Sequence, residues 1–284
     1  MKLSKIFALL LALCLISSAA CAATFTDAHG NVIELDDSLE AYAAVTLVGA
    51  DNAARQGETN LGDLWADALR WFAVSGEINA AFDEDDVKAG NDRIAVDADH
   101  VVALWNGGNL RADIAEGTFG AESLAEVLPF PNKVAVVYMT GAQLLETLEA
   151  ASQGLPYTAE TADACASLMQ VSGLTYTVDT AKAYDALEAY GDHWFTAGSV
   201  SRVRIDDVNG QPFDAEATYA VVTSNANFNG MDSSYVLKAA AEANEQSAVT
   251  TAVVRDVVFR FIAAELNHQV GEAYAAPQGR LTVL

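Results

Sequence analysis

A mixed α/β or α+β fold in one domain is what the pattern of this chain predicts, on three observations. Amphipathic segments with a single apolar stripe alternate with short apolar runs of strand length. Their order is irregular and has no fixed period, which argues against a repeat architecture. Nothing between residues 40 and 284 has the composition of a linker, and that length is enough for one sizeable core.

The elements follow in order. Lys2 and Lys5 precede an apolar run from Ile6 to Ile16 and a small-residue stretch from Ser17 to Ala23. This is the pattern of an export signal over residues 1–22, whose apolar core is too short to span a membrane. Cleavage after Ala22 is one reading, and lipidation of Cys21 is the other. Residues 23–41 form an N-terminal extension, with a short hairpin expected over 24–36 around His29-Gly30, and the main domain is expected over 42–284. Residues 41–49 alternate around Val45, Leu47 and Gly49 and predict a strand. Leu61, Leu64, Trp65, Ala68, Leu69 and Phe72 then share one helical face. Thr59 or Asn60 can cap that helix, and Asp63 suits its first turn.

The acidic run Asp83 to Asp86 predicts a solvated loop; it lacks the alternating ligands and central glycine of a calcium loop. Val101 to Trp105 predicts a buried strand that delivers the turn Asn106-Gly107-Gly108-Asn109. A strand over Val134 to Met139 leads into a helix from Gly141 to Ala151. Further strands are expected over 168–178, 200–208 and 218–224, and an amphipathic helix over 249–267.

Charge and composition exclude several functions. The net charge of −24 repels nucleic acid and anionic lipid, so neither is expected as a partner. After the signal, no stretch is apolar and long enough to span a bilayer. Cys14 belongs to the signal and Cys21 sits at its end, which leaves Cys165 as a small buried residue without a disulfide partner. The four histidines, His29, His100, His193 and His268, are scattered without ligand spacing. There is no Gly-x-Ser-x-Gly elbow, no His-Glu-x-x-His, no phosphate-cradling P-loop and no Gly-x-Gly-x-x-Gly. No catalytic residue, metal site or cofactor is therefore expected in the chain itself.

Two short motifs stand out: Arg55-x-x-Glu58-x-Asn60-Leu61-Gly62-Asp63-Leu64 and Trp105-Asn106-Gly107-Gly108-Asn109-Leu110-Arg111. Each sets an arginine beside glycine and asparagine. A guanidinium pairs with phosphate or carboxylate oxygens two at a time. Glycine lets a ligand approach the main chain, and asparagine tolerates left-handed turn positions. Arg55 also precedes a helix start, where backbone amides favour an anion.

These motifs continue in a recognisable order, through Val127-Leu128-Pro129-Phe130-Pro131-Asn132, Met139-Thr140-Gly141-Ala142-Gln143, Gln170-Val171-Ser172-Gly173-Leu174 and Gly279-Arg280-Leu281. Together they resemble the C-terminal domain of the 5′-nucleotidases over residues 42–284. The resemblance implies a four-layer α/β/β/α sandwich with mixed sheets that binds the nucleoside part of a nucleotide. It also implies that hydrolysis belongs to a separate two-metal metallophosphoesterase domain. Arg55 and Arg111 would contact ribose or phosphate oxygens, with Gly107 and Gly108 shaping the turn. Asn106 would reach the base edge, Phe130 would stack on one face of the base, and Asp232 would hold the ribose hydroxyls.

Two departures from the family pattern follow. The second stacking ring of the family aligns with Ala226, and Met231 stands where the family has glycine; Phe228 is a candidate substitute ring. Of the metal-binding motifs only Asp27-Ala28-His29-Gly30 bears any likeness. The sequence thus leaves three readings: a recognition domain working with a separately encoded phosphohydrolase, a stand-alone exported binding protein for a nucleoside-like or sugar-phosphate ligand, or a structural module. In the third, Arg55 and Arg111 would merely brace loops through Glu58, Asp67 or Asp113.

Overall fold

The computed structural model describes residues 23–26, 32–35 and 40–284. Residues 1–22, with Cys21, and the Asp27-Ala28-His29-Gly30 motif lie outside the described residues. Strands β1 (Ala23–Thr26) and β2 (Val32–Leu35) pair antiparallel, in keeping with the hairpin expected over 24–36.

Strand β3 (Glu40–Ala43) is shorter than the strand expected over 41–49. Past Ala43 the chain leaves its partners: Leu47 makes an isolated bridge to Ile114, and the amides of Gly49 and Ala50 turn to Asp113 Oδ1 at 2.7 and 2.8 Å. A short helix α1 (Ala53–Gln56) precedes α2 (Asn60–Val74). Thr59 Oγ1 accepts the Gly62 amide at 3.0 Å, so Thr59 is the cap. All six stripe residues of α2 are buried. Burial of each large one is worth about 1.5–3 kcal/mol, which makes the N-terminus of α2 a fixed point of the molecule.

The acidic run corrects an expectation. Helix α3 (Glu84–Ala89) is capped by Asp83, whose side chain accepts the amides of Asp85 and Asp86 while Asp86 reaches back to the Asp83 amide. Three acids in the first turn suit the positive end of the helix, so the run folds locally while staying exposed.

Then follow β4 (Val101–Asn106), β5 (Gly117–Gly120), α4 (Ala121–Val127), β6 (Lys133–Thr140) and α5 (Gly141–Ala151). Thr140 and Gln143 close a capping box at the start of α5. The strand expected over 168–178 is two strands. Gly173, at φ +80°, turns the chain out of β7 (Met169–Ser172) into β8 (Leu174–Val178), and the two join different sheets. After them come β9 (Ala186–Tyr190), β10 (Trp194–Ala197), β11 (Val203–Val208), β12 (Thr218–Ser224), α6 (Asn225–Phe228) and α7 (Tyr235–Ala243). The helix expected from 249 starts at Val254 instead. The β-branched run Val249-Thr250-Thr251 belongs to β13 (Ala248–Val253), and α8 spans Val254–Glu265. Strands β14 (Gln269–Val270) and β15 (Leu281–Val283) complete the chain.

The central sheet runs β13-β6-β12-β4-β7, with β12 parallel to β4 and its other pairs antiparallel. Its middle strands are buried on both faces, which is why they read as continuous apolar runs. Val101, Ala103 and Trp105 of β4 face one core, shared with α2 and α8. Val102 and Leu104 face a second core, shared with α5, α7 and the three-stranded sheet β11-β8-β15. The expected mixed-sheet α/β architecture, with helices packed on strands, is present.

Candidate functional site

Strand β4 ends at Asn106, and the chain turns there through Gly107 to Asn109. Gly107 is buried against α1, and a Cβ on it would lie 1.9 Å from the Ala54 carbonyl oxygen. Its missing side chain therefore makes room for α1 and not for a ligand, which corrects the sequence reading. Nor do Asn106 and Asn109 occupy left-handed positions; among the described residues that conformation falls elsewhere, Asn52 and Asp232 included.

Gly108, Asn109, Arg111, Phe130, Pro131, Asn132, Ala166, Ala226, Met231 and Asp232 line a cavity of about 310 Å³. Segments distant in sequence thus converge at the C-terminal end of β4. Arg111 lies over the Phe130 ring, with Cζ 5.9 Å from its centroid, a cation–π contact. Phe130 is 45 % exposed and Met231 54 % exposed, so both present apolar surface at the mouth.

Asn106 is 1 % exposed, and both ends of its amide are used. Nδ2 donates to Asp232 Oδ2 at 2.8 Å, and Oδ1 accepts from Asn109 Nδ2 at 2.8 Å. It has no free edge for a base. Its work is to hold Asp232, and of the two asparagines of the turn it is Asn109 that reaches the cavity wall. Burial raises the Asp232 pKa above the usual carboxylate range, opposed by the Asn106 hydrogen bond and by the charges of Arg55 and Arg111.

Arg55 does not line the cavity but stands close enough to act on both charged groups in it. Burial lowers the Arg111 pKa, the like charge of Arg55 lowers it further, and Asp232 opposes them. Arg55 Nη1 donates to the Ala162 carbonyl at 2.9 Å and lies 3.8 Å from Asp163. Among the described residues no carboxylate comes within ion-pair distance of Arg111.

The bracing partners that a purely structural reading would need are occupied elsewhere. Glu58 accepts the amides of Gln278 and Leu281 at 2.8 and 2.9 Å. Asp67 pairs with Arg280 through both oxygens at 2.8 Å, and Asp113 holds the Gly49-Ala50 amides. Apart from Arg55, the first motif is scaffold: Asn60 bonds Thr46, Val48 and Tyr274, and Glu58 and Asp63 hold the C-terminal segment.

Phe228 does not join the site. It packs against the second core beside α7 and is absent from the cavity wall, so the expected substitute ring is not in place. The wall positions on its segment are Ala226, Met231 and Asp232. Cys165 is buried and its thiol pKa is raised by burial, the behaviour of a small packing residue. Ala166 and the 162–163 loop are the parts of the site that sequence reasoning does not find. Nothing in their composition marks them, because their place depends on a contact with Arg55 more than a hundred positions away.

Residues 40–239 match the 5′-nucleotidase C-terminal domain family. The chain is 28 % identical over 188 residues to the trifunctional nucleotide phosphoesterase protein YfkN of Bacillus subtilis (strain 168), covering 65 % of this chain and 10 % of that protein. Among solved structures, the 5′-nucleotidase precursor of Thermus thermophilus superposes with a TM-score of 0.61 at 29 % identity, over 86 % of this chain and 39 % of that one. The Haemophilus influenzae NAD nucleotidase (TM-score 0.57, 15 % identity, 86 % and 38 % covered) shares the fold. The chain thus spans well under half the length of these relatives.

Proposed function

Because the chain belongs to the 5′-nucleotidase C-terminal domain family, we propose that it recognises a nucleoside or nucleotide in the cavity at the end of β4. In this reading it serves nucleotide catabolism together with a separately supplied phosphohydrolase domain. The observation that carries the reading is the convergence of Arg111, Phe130 and Asp232 on one cavity, with Arg111 free of any carboxylate partner among the described residues.

The chemistry of each group suits that ligand. Phe130 offers an apolar ring on which a base can stack. Asp232 offers carboxylate oxygens to the vicinal hydroxyls of a ribose, and Asn106 holds it in place at 2.8 Å. Arg111, with Arg55 behind it, supplies positive charge for a phosphate in a chain that is otherwise acidic. A cavity near 310 Å³ is at the small end for such ligands, in keeping with a site open at its mouth. Gly107 and Gly108 form the turn that the other groups are built around.

The greater length of the relatives supports assigning phosphate hydrolysis to a domain beyond these residues. Export, with either cleavage after Ala22 or a lipid on Cys21, belongs to the same proposal and rests on the pattern of residues 1–22. No helix among the described residues is long and apolar enough to cross a membrane. Equilibrium dialysis of the chain against labelled AMP and adenosine tests the reading: saturable uptake of either one is expected, and retention of neither removes it.

A further inference from the structure

The hairpin formed by β9 and β10 is poorly buried, yet it spends its polar groups on the two segments that flank the cavity. Four of the five residues of β9 are exposed, and Leu187 is 67 % exposed. Burial of its own surface therefore gives little reason for its position. The Tyr190 hydroxyl donates to the Gly230 carbonyl at 2.7 Å, immediately before Met231 and Asp232 of the cavity wall. Trp194 Nε1 donates to the Ala164 carbonyl at 3.1 Å, two residues before Ala166, which also lines the cavity.

The hairpin is itself fixed to the helical layer. The Phe195 amide donates to Gln153 Oε1 at 2.8 Å, and the Ala197 amide donates to the Tyr235 hydroxyl at 2.9 Å. Tyr190 and Tyr235 also pack with ring centroids 5.6 Å apart. On the Asp232 side, the segment is also tied to β6, where the Lys133 amide donates to Asn225 Oδ1 at 2.9 Å, and several of its other bonds are internal. Ser224 and Ser234 bond Asn227, and Met231 donates to the Ala226 carbonyl. The internal bonds give the segment its shape, while Lys133 from β6 holds its start and Asn106 from β4 and Tyr190 from the hairpin hold its Gly230–Asp232 end. Gly230 has φ +88°, and a Cβ there would lie 2.4 Å from the Tyr190 hydroxyl, so this contact admits only glycine.

We propose that the β9–β10 hairpin is a clamp that sets the width of the cavity, with Tyr190 and Trp194 as its positioning residues for the Asp232 and Ala166 walls. The inference rests on the reading of the cavity as a nucleotide site. The clamp touches no ligand itself; it fixes the separation between the ribose-binding carboxylate and the wall beneath Gly108.

Two measurements on the full chain test it, one with ligand and one without. In calorimetry with AMP, Tyr190→Phe is expected to weaken binding three- to tenfold. The same change added to Asp232→Asn is expected to cost nothing more, because the tie acts through Asp232. A Tyr190→Phe variant with unchanged affinity, or one whose effect simply adds to that of Asp232→Asn, overturns the proposal. In hydrogen exchange without ligand, Tyr190→Phe is expected to speed exchange at the Gly230 and Met231 amides at least tenfold, with β6 unchanged. Trp194→Phe is expected to do the same at Cys165 and Ala166. Unchanged exchange at these amides overturns the clamp whatever the ligand, whereas wild-type chain that binds no AMP while exchange rises overturns only the nucleotide reading.

Discussion

Asn106, the last residue of the buried strand β4, donates from Nδ2 to Asp232 Oδ2 at 2.8 Å across 126 positions of sequence. The same side chain accepts from Asn109. One amide thereby orders both the turn that forms the floor of the cavity and the acid that faces it. The residue expected to read a ligand instead holds two residues of the cavity wall.

Asn106→Ala should therefore act twice. It leaves the Asn109 amide and the Asp232 carboxylate without this partner in a buried place, a cost of about 1–3 kcal/mol. Denaturant unfolding should show that loss. Calorimetry should show weaker nucleotide binding even at temperatures where the variant is fully folded, because Asp232 is no longer held.

The single-ring wall can be completed. Ala226 lines the cavity from which Phe228 is turned away. Ala226→Phe should place a second ring beside the base, and stacking is worth about 1–3 kcal/mol per base. AMP affinity should rise by roughly one to two decades. Phe130→Ala should lower it by a similar factor. An Ala226→Phe variant that binds AMP no better would show that the base does not enter this part of the cavity.

What is legible in the sequence is set by local chemistry. The stripe of α2, the buried run of β4 and the helix from Gly141 to Ala151 each depend on neighbours within a few residues, and each is found at the expected place. Arg111, Phe130 and Asp232 can be named from their motifs. Their separation and surroundings cannot, because those depend on packing between segments far apart. The split of the 168–178 run is hidden because Gly173 diverts β8 into another sheet, which no alternation of apolar residues reports. The hairpin over 186–197 is hidden because Ala-Leu-Glu-Ala-Tyr carries no β-branched residue. Asn106 points to a ligand on sequence grounds because an asparagine beside two glycines looks accessible until its burial is known.

A pH dependence follows from Asp63. This carboxyl is fully buried, Oδ1 has no hydrogen-bond partner, and burial pushes its pKa up to about 8. The positive charge of Arg280 opposes the shift, and the nearby carboxylate of Glu58 adds to it. The folded state therefore holds this proton more tightly than the unfolded chain, whose value is near 3.8. Stability from this group is fully present below that value and is lost as pH rises through about 8. Asp63→Asn, which still accepts the Gln278 amide, should flatten the slope of unfolding free energy across that window. An unchanged slope in the variant would place the titration elsewhere.

The C-terminal segment is held by Arg280, whose two terminal nitrogens meet the two oxygens of Asp67 at 2.8 Å. Both side chains are largely buried. Arg280→Met should leave the Asp67 charge short of its main partner and cost about 3 kcal/mol. Limited proteolysis should then cleave within residues 275–284 before the rest of the chain, while AMP affinity of the folded fraction is unaffected.

Calorimetric titration of the full chain with AMP and adenosine, repeated with Arg111→Ala, tests the central claim most directly. Saturable binding is expected for the wild type. The Arg111→Ala loss should be larger for AMP than for adenosine, since only AMP carries the phosphate that the guanidinium pairs with. Absence of heat with both ligands, or equal affinities in wild type and Arg111→Ala, would contradict a nucleotide-recognition site at the end of β4.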